Sequence, residues 1–228
     1  MKIRFLAPPT WSISRELTKW ARRLKIPLAG PQPVQSVIVV GNGTPDEVVC
    51  LILCHKLNGE NVVGITKPQE KLRIDSITPA LELIRREKVK NLLIALDQER
   101  ESLEELWKRI EGKFKEEKLK YKIESQEEKF CAYTCSQAHY KFKILMTING
   151  LNRPYQKNTI EDHLLEFSRE FLEEDANKAL NNSNKDPKEA WKKLVDRHQE
   201  IYSSLSKRGH DKMQQIFPQH IKALSELL

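Results

Sequence analysis

Hydrophobic and polar positions alternate with changing period along the chain, and each change marks an element. Lys2 to Leu6 suits a short strand, and Ile13, Leu17, Trp20, Ala21 and Leu24 then recur at three- and four-residue intervals behind a candidate cap at Ser12, the spacing of an amphipathic helix. Pro27, Gly30, Pro31 and Pro33 interrupt regular structure and make a connector. Ser36 to Val40 is a continuous β-branched run, the pattern of a strand buried on both faces. After Gly41-Asn42-Gly43, Thr44 is placed as an N-cap, Pro45 as the first helical residue and Glu47 as the far side of a capping box, so a helix is expected from there to about Leu57, stopped by Asn58-Gly59.

Further strands are expected at Val62 to Ile65 and Asn91 to Leu96, separated by a helix opening at Thr78-Pro79. Ser102 and Glu105 form a second capping box ahead of Leu103, Leu106, Trp107, Ile110 and Phe114, and a fourth strand, Leu119 to Ile123, closes this βαβ series. Phe130 to Thr134 and Tyr140 to Ile148 follow with no helix between them, which predicts antiparallel strands and a mixed sheet. One long helix is expected from Asn158 or Thr159 to Leu180, then a polar linker at Asn181 to Lys185. A helix capped by Asp186-Pro187-Lys188-Glu189 runs on to Gly209, and a last one is broken at Pro218. The predicted fold is α/β, a mixed, largely parallel sheet flanked by helices in a Rossmann-like manner, with a helical C-terminal appendage. Its expected division is an extension over 1–33, a core over 34–180 and a helical region over 181–228.

At 228 residues with 39% apolar and 31% charged positions, the chain can bury a sizeable core. Its longest apolar stretches fall far short of the ~20 residues a spanning helix needs, so no membrane partner is expected. The N-terminal Met-Lys-Ile-Arg-Phe-Leu-Ala-Pro-Pro has too short an apolar run for a secretory signal, which predicts a cytoplasmic protein with reduced thiols. Cys50 with Cys54 and Cys131 with Cys135 lack zinc-knuckle spacing and read as small buried hydrophobes. A net charge of +7 favours anionic partners such as nucleic acid.

Open α/β sheets present ligands beyond the carboxyl ends of their strands, which directs attention to the segments after Val40 and Leu96. Asp97 and Glu99 are two apart, and on an extended segment they would project to one side as converging carboxylates. Such a pair suits magnesium or manganese, because hard dications take oxygen ligands and keep several waters. The same acids also suit the N-terminus of the helix that follows. Gly41, Asn42, Gly43 and Thr44 could expose backbone N–H groups to a phosphate, although neither the dinucleotide fingerprint nor the Walker pattern is present. Asp46 and Glu47 lie nearby as further ligands, with Glu47 also explained by capping. His139, His163, His198 and His210 share no ligand spacing and read as structural or solvated.

The order of a strand ending in Val39-Val40-Gly41-Asn42-Gly43-Thr44-Pro45-Asp46-Glu47, a strand ending in Leu96-Asp97-Gln98-Glu99, and a later Thr159-Ile160-Glu161-Asp162-His163-Leu164-Leu165 resembles the small prokaryotic Toprim-like proteins over about Ser36 to Phe167. In that family a glutamate-glycine pair ends the first strand and an Asp-x-Asp motif ends a later one, and these acids hold magnesium for phosphodiester chemistry in nucleases, primases and topoisomerases. The resemblance implies that Asp97 matches the first aspartate, Glu99 replaces the second and Asp46 matches the acid opening the following helix. It also implies metal ligation by Asp97, Glu99 and Asp46 and a catalytic set of Asp97, Glu99 and Glu47. The first-strand glutamate is absent, with Glu47 the nearest carboxylate, so an enzyme remnant is as natural an expectation as a nuclease. The alternatives are a non-catalytic module binding a nucleotide or nucleic acid through Gly41 to Thr44, and a protein whose C-terminal helices dock a protein partner or a second copy.

Overall fold

In the computed structural model the described residues are 2–6, 12–41, 44–57, 59–67 and 73–227. The elements are β1 (Lys2–Phe5), α1 (Ser12–Arg23), β2 (Ser36–Val39), α2 (Thr44–Lys56), β3 (Val62–Thr66), α3 (Ile77–Glu87), β4 (Asn91–Asp97), α4 (Leu103–Glu116), β5 (Lys120–Glu127), β6 (Phe130–Gln137) and β7 (Tyr140–Asn149), followed by α5 (Ile160–Ser168), α6 (Glu173–Asn181), α7 (Pro187–Lys193), α8 (His198–Lys207), α9 (His210–Ile216) and α10 (Pro218–Leu227). The strands make one seven-stranded sheet in the order β1-β3-β2-β4-β7-β6-β5. The first five in that order are mutually parallel, while β6 runs antiparallel to β7 and β5 antiparallel to β6. The fold is thus α/β with a mostly parallel mixed sheet, and the strand before the connector is its outer edge.

Every residue of β2 is buried, as a strand covered on both faces must be. One face is covered by α3 and α4 through Ile77, Leu81, Ile84, Leu106, Ile110 and Phe114. The other carries a thicker layer. Val48 to Cys54 of α2 are all buried, so this helix has no solvent face and needs cover on every side. Sheet residues Ile38, Val63 and Leu93 cover it below, and α1, α5 and α8 supply Trp20, Leu164, Ile201 and Tyr202 to the same core. The helices after Asn181 therefore share a core with the sheet. Among the described residues no helix is long and apolar enough to cross a membrane.

Several elements differ from expectation. The strand expected at Leu119 to Ile123 extends to Glu127 and is the opposite edge of the sheet, paired antiparallel with β6. The long helix expected from Asn158 or Thr159 to Leu180 is two helices, because the Ser168 hydroxyl donates back to the Leu165 carbonyl (2.8 Å) and the chain turns before Glu173. Asp186 caps as expected, its carboxylate accepting from the Lys188 (3.0 Å) and Glu189 (3.4 Å) amides, but α7 ends at Lys193. His198 then stacks on Trp191 with ring centroids 4.0 Å apart and bonds its carbonyl (2.9 Å), folding α8 back over the break. The third helix begins at Ile77, after a 3-10 turn over Arg73–Ser76, rather than at Thr78.

Candidate functional site

The parallel strands β2, β4 and β7 are neighbours, so whatever follows their carboxyl ends is brought together. Asp97, the last residue of β4, is the register partner of Asn149, the last of β7. Asp46 enters from the first turn of α2, and Gly41 lets it approach, since a Cβ there would lie 2.6 Å from Asp46 Oδ1. Asn149, wholly buried, ties the three strand ends: its Nδ2 donates to Asp46 Oδ1 (3.0 Å) and to Asp97 Oδ1 (2.9 Å). Both amide hydrogens are spent on carboxylates, so Oδ1 must accept, and His220 Nε2 of α10 donates to it (2.7 Å). This fixes the His220 tautomer and leaves its buried Nδ1 without a partner among the described residues.

Lys188 of α7 brings the cation. Its ammonium donates to Asp97 Oδ2 (2.9 Å) and to Glu99. Asp186, at the cap of the same helix, is held by Lys157 (2.7 Å). Glu99 adopts a left-handed conformation (φ 59°), and its amide and carbonyl exchange bonds with Asn158 (2.8 and 2.9 Å). The segment after Asp97 is therefore not extended, and the two carboxylates converge through Lys188 rather than through strand alternation. Glu161, on α5, is 6% exposed, and its Oε2 has no partner among the described residues.

Burial and mutual repulsion set the protonation of this cluster. Burial, then the Asp97 and Glu161 charges, raise the Asp46 carboxyl well above its ordinary range. Burial and the Asp97 charge push Glu161 up to about 7. Asp162, wholly buried beside it, is raised by burial to about 7 even though the Leu151 amide donates to it (3.2 Å). Burial alone would lower the Lys188 ammonium, but Asp97 and Glu99 outweigh it and hold Lys188 above the usual lysine value. Behind the acids, His163 accepts from the Gly150 amide (3.2 Å) and is lowered by burial to about 4, while burial and then His163 lower His220 well below its ordinary value. Both histidines are neutral hydrogen-bonding posts.

Of the residues singled out from the sequence, Asp46, Asp97 and Glu99 are gathered at this site, Asp46 and Asp97 through Asn149, and Asp97 and Glu99 through Lys188. Glu47 is turned elsewhere, its carboxylate paired with Lys67. Gly41 leaves room for Asp46, and Asn42, Gly43 and the Thr44 side chain lie outside what the structure describes. Sequence reasoning assigned no role to Asn149, Glu161, Lys188 or His220. Glu161 falls within the quoted Thr159 to Leu165 segment and Lys188 within the Asp186 to Glu189 cap.

The donor set is all oxygen, acid-rich and has one unpartnered carboxylate oxygen on Glu161, which suits a hard dication. As arranged, no three His, Cys, Asp or Glu side chains among the described residues stand in metal-holding geometry, and Lys188 occupies the space between Asp97 and Glu99. Asp97 and Glu99 could turn their oxygens to a hard dication only with the Lys188 ammonium displaced. Against family models, curated proteins and solved structures, the chain matches none.

Glu161 gives a direct stability test. A carboxyl raised from 4.5 to about 7 contributes stability that is fully present below about pH 4.5 and lost as pH rises through about 7. Glu161→Gln removes that loss. In urea unfolding without divalent metal the variant is expected to exceed the parent by about 2–3 kcal/mol at pH 8, with the gap closing below pH 4.5. Equal stability of the two proteins at pH 8 would mean that Glu161 is not held against its neighbours' charge.

Proposed function

We propose that this chain is a Toprim-like protein that acts on nucleic acid through a carboxylate site for a divalent cation. The observation that carries the reading is the gathering of Asp46, Asp97, Glu99 and Glu161 at the carboxyl ends of adjacent parallel strands, where an open α/β sheet presents its ligands. Magnesium or manganese bound by Asp97 with Glu99 or Asp46 would polarise a phosphoryl oxygen and activate a water. Asn149 holds Asp46 and Asp97 side by side, and His220 holds Asn149 in the orientation that does so. Glu161 Oε2, unpartnered and poised near neutrality, is the atom suited to take and return a proton, which supplies from α5 the role left open by the missing first-strand glutamate.

One observation favours a second reading, a binding module without catalysis: the Lys188 ammonium already neutralises Asp97 and Glu99. Labelled single- and double-stranded DNA and RNA, incubated with manganese, magnesium or chelator, separate the two. The catalytic reading expects metal-dependent cleavage that drops at least about 100-fold in Asp97→Ala and in Glu161→Gln. Binding without cleavage in any metal supports the module instead.

A further inference from the structure

We propose that the corner of the sheet formed by β5, β6 and β7, on the face opposite α4, is the surface that docks the phosphate backbone of the nucleic acid. The inference rests on the nucleic-acid reading above and names the surface that reading lacks. Strand register sets out the corner. Lys141 of β7 lies opposite Ser136 of β6, which lies opposite Lys120 of β5; one row on, Lys143, Thr134 and Lys122 repeat the arrangement. Residues directly opposite across strands share a face, so each row presents a hydroxyl between two ammonium groups.

These rows continue the face on which Ala132 and Leu145 meet the core, but α10 packs on its β4 and β7 side and reaches β5 and β6 through Lys222, at Glu127 and Phe130, away from these rows. Lys120, Lys122, Thr134 and Lys141 are left exposed. Two acids enter the corner, Glu124 and Glu226; Lys143 engages both (3.4 and 3.1 Å) and the Thr134 hydroxyl donates to Glu124, so the open donors are those of Lys120, Lys122 and Lys141. Among the described residues Lys120, Lys122 and Lys141 form no ion pair. Around the rim, Arg85 bonds Gln137 at the end of β6, and exposed Lys88, Lys90 and Lys118 lie at the turns entering β4 and β5. Charged lysines guard many sheet edges against pairing, but a guard needs no hydroxyl between its lysines and no second row behind the edge. The Lys120, Lys122 and Lys141 ammonium groups, with Ser136 between two of them, suit successive phosphates.

Placement links the corner to the carboxylates. β7 runs from Lys141 in the corner to Asn149 at the acid cluster, about 27 Å at strand rise. A duplex anchored at the corner must therefore extend at least about eight base pairs to reach Asp97.

The test is fluorescence anisotropy of a labelled duplex longer than that, titrated at several salt concentrations. It compares the parent with Lys120→Gln/Lys141→Gln, Lys120→Arg/Lys141→Arg, and Lys207→Gln on α8 as a control for overall charge. The double glutamine variant is expected to bind at least about ten-fold more weakly and to lose about two units of salt slope, while the arginine and Lys207 variants keep the parental values. Parental affinity and slope in the double glutamine variant, or an equal loss in Lys207→Gln, would overturn the corner and leave the nucleic-acid reading standing. No binding of any DNA or RNA by the parent at low salt would overturn both.

Discussion

Replacing Asn149 by leucine is expected to lower the unfolding free energy by about 3–5 kcal/mol, the largest single effect in this molecule. The reason is where its bonds go. Asn149 is wholly buried and donates to two carboxylates while accepting from a buried histidine, so the substitution takes a partner from three polar groups at once, of which Asp97 keeps Lys188. Asp46 is the worst placed of them, because burial, Asp97 and Glu161 already oppose its charge. Leucine is close to asparagine in size, which keeps cavity formation out of the comparison. Urea unfolding at neutral pH measures the effect, and a loss under about 1 kcal/mol would show that water can replace the asparagine amide.

The second large effect is expected at Lys188. Lys188→Met keeps the length of the side chain and deletes the ammonium that serves both Asp97 and Glu99, and about 2–4 kcal/mol is expected to be lost. The sign of its pH dependence follows from the direction of the shift. Lys188 is held above 10.5 in the folded protein, so its contribution is fully present below that value and is lost only as pH rises past it. Lys188 also lowers the Asp46 and Glu161 carboxyls, which rise without it, so urea unfolding should show a gap between parent and variant that widens as pH rises from 6 to 9. Manganese should narrow the gap, because a dication that binds only the folded state stabilises it by mass action. A gap that manganese leaves unchanged would separate the acid cluster from metal binding.

How much of this was legible in the sequence depends on how locally each feature is encoded. The β-branched run at β2, the Ser102–Glu105 capping box and the alternation of strand and helix are local, and each is found where the pattern places it. The parallel pairing of β7 with β4 is not local: it joins Asn91 to Lys143 across α4, β5 and β6, and no short pattern states it. That pairing turns Asn149 into the partner of Asp97, so the central hydrogen-bonding residue of the site had no signature of its own. Lys188 was read only as part of a helix cap, which it is, since its amide bonds Asp186 while its ammonium reaches the acids. His220 carries no sequence signal at all, because its role depends on α10 packing against β7. Asp97 and Glu99 were found from strand periodicity, although Glu99 owes its placement to a left-handed turn and an exchange of bonds with Asn158.

In the function proposed above, the acids around Asn149 would take a divalent cation in place of Lys188, their resident counter-charge. Calorimetric titration of manganese and magnesium into the parent, Lys188→Met and Asp97→Ala at neutral pH tests it most directly. The account predicts measurable binding by the parent, binding at least about ten-fold tighter by Lys188→Met, where no ammonium competes, and none by Asp97→Ala. If Lys188→Met binds neither metal while remaining folded, the cluster is a buried charge network that holds the strand ends together, and the metal-dependent function falls with it.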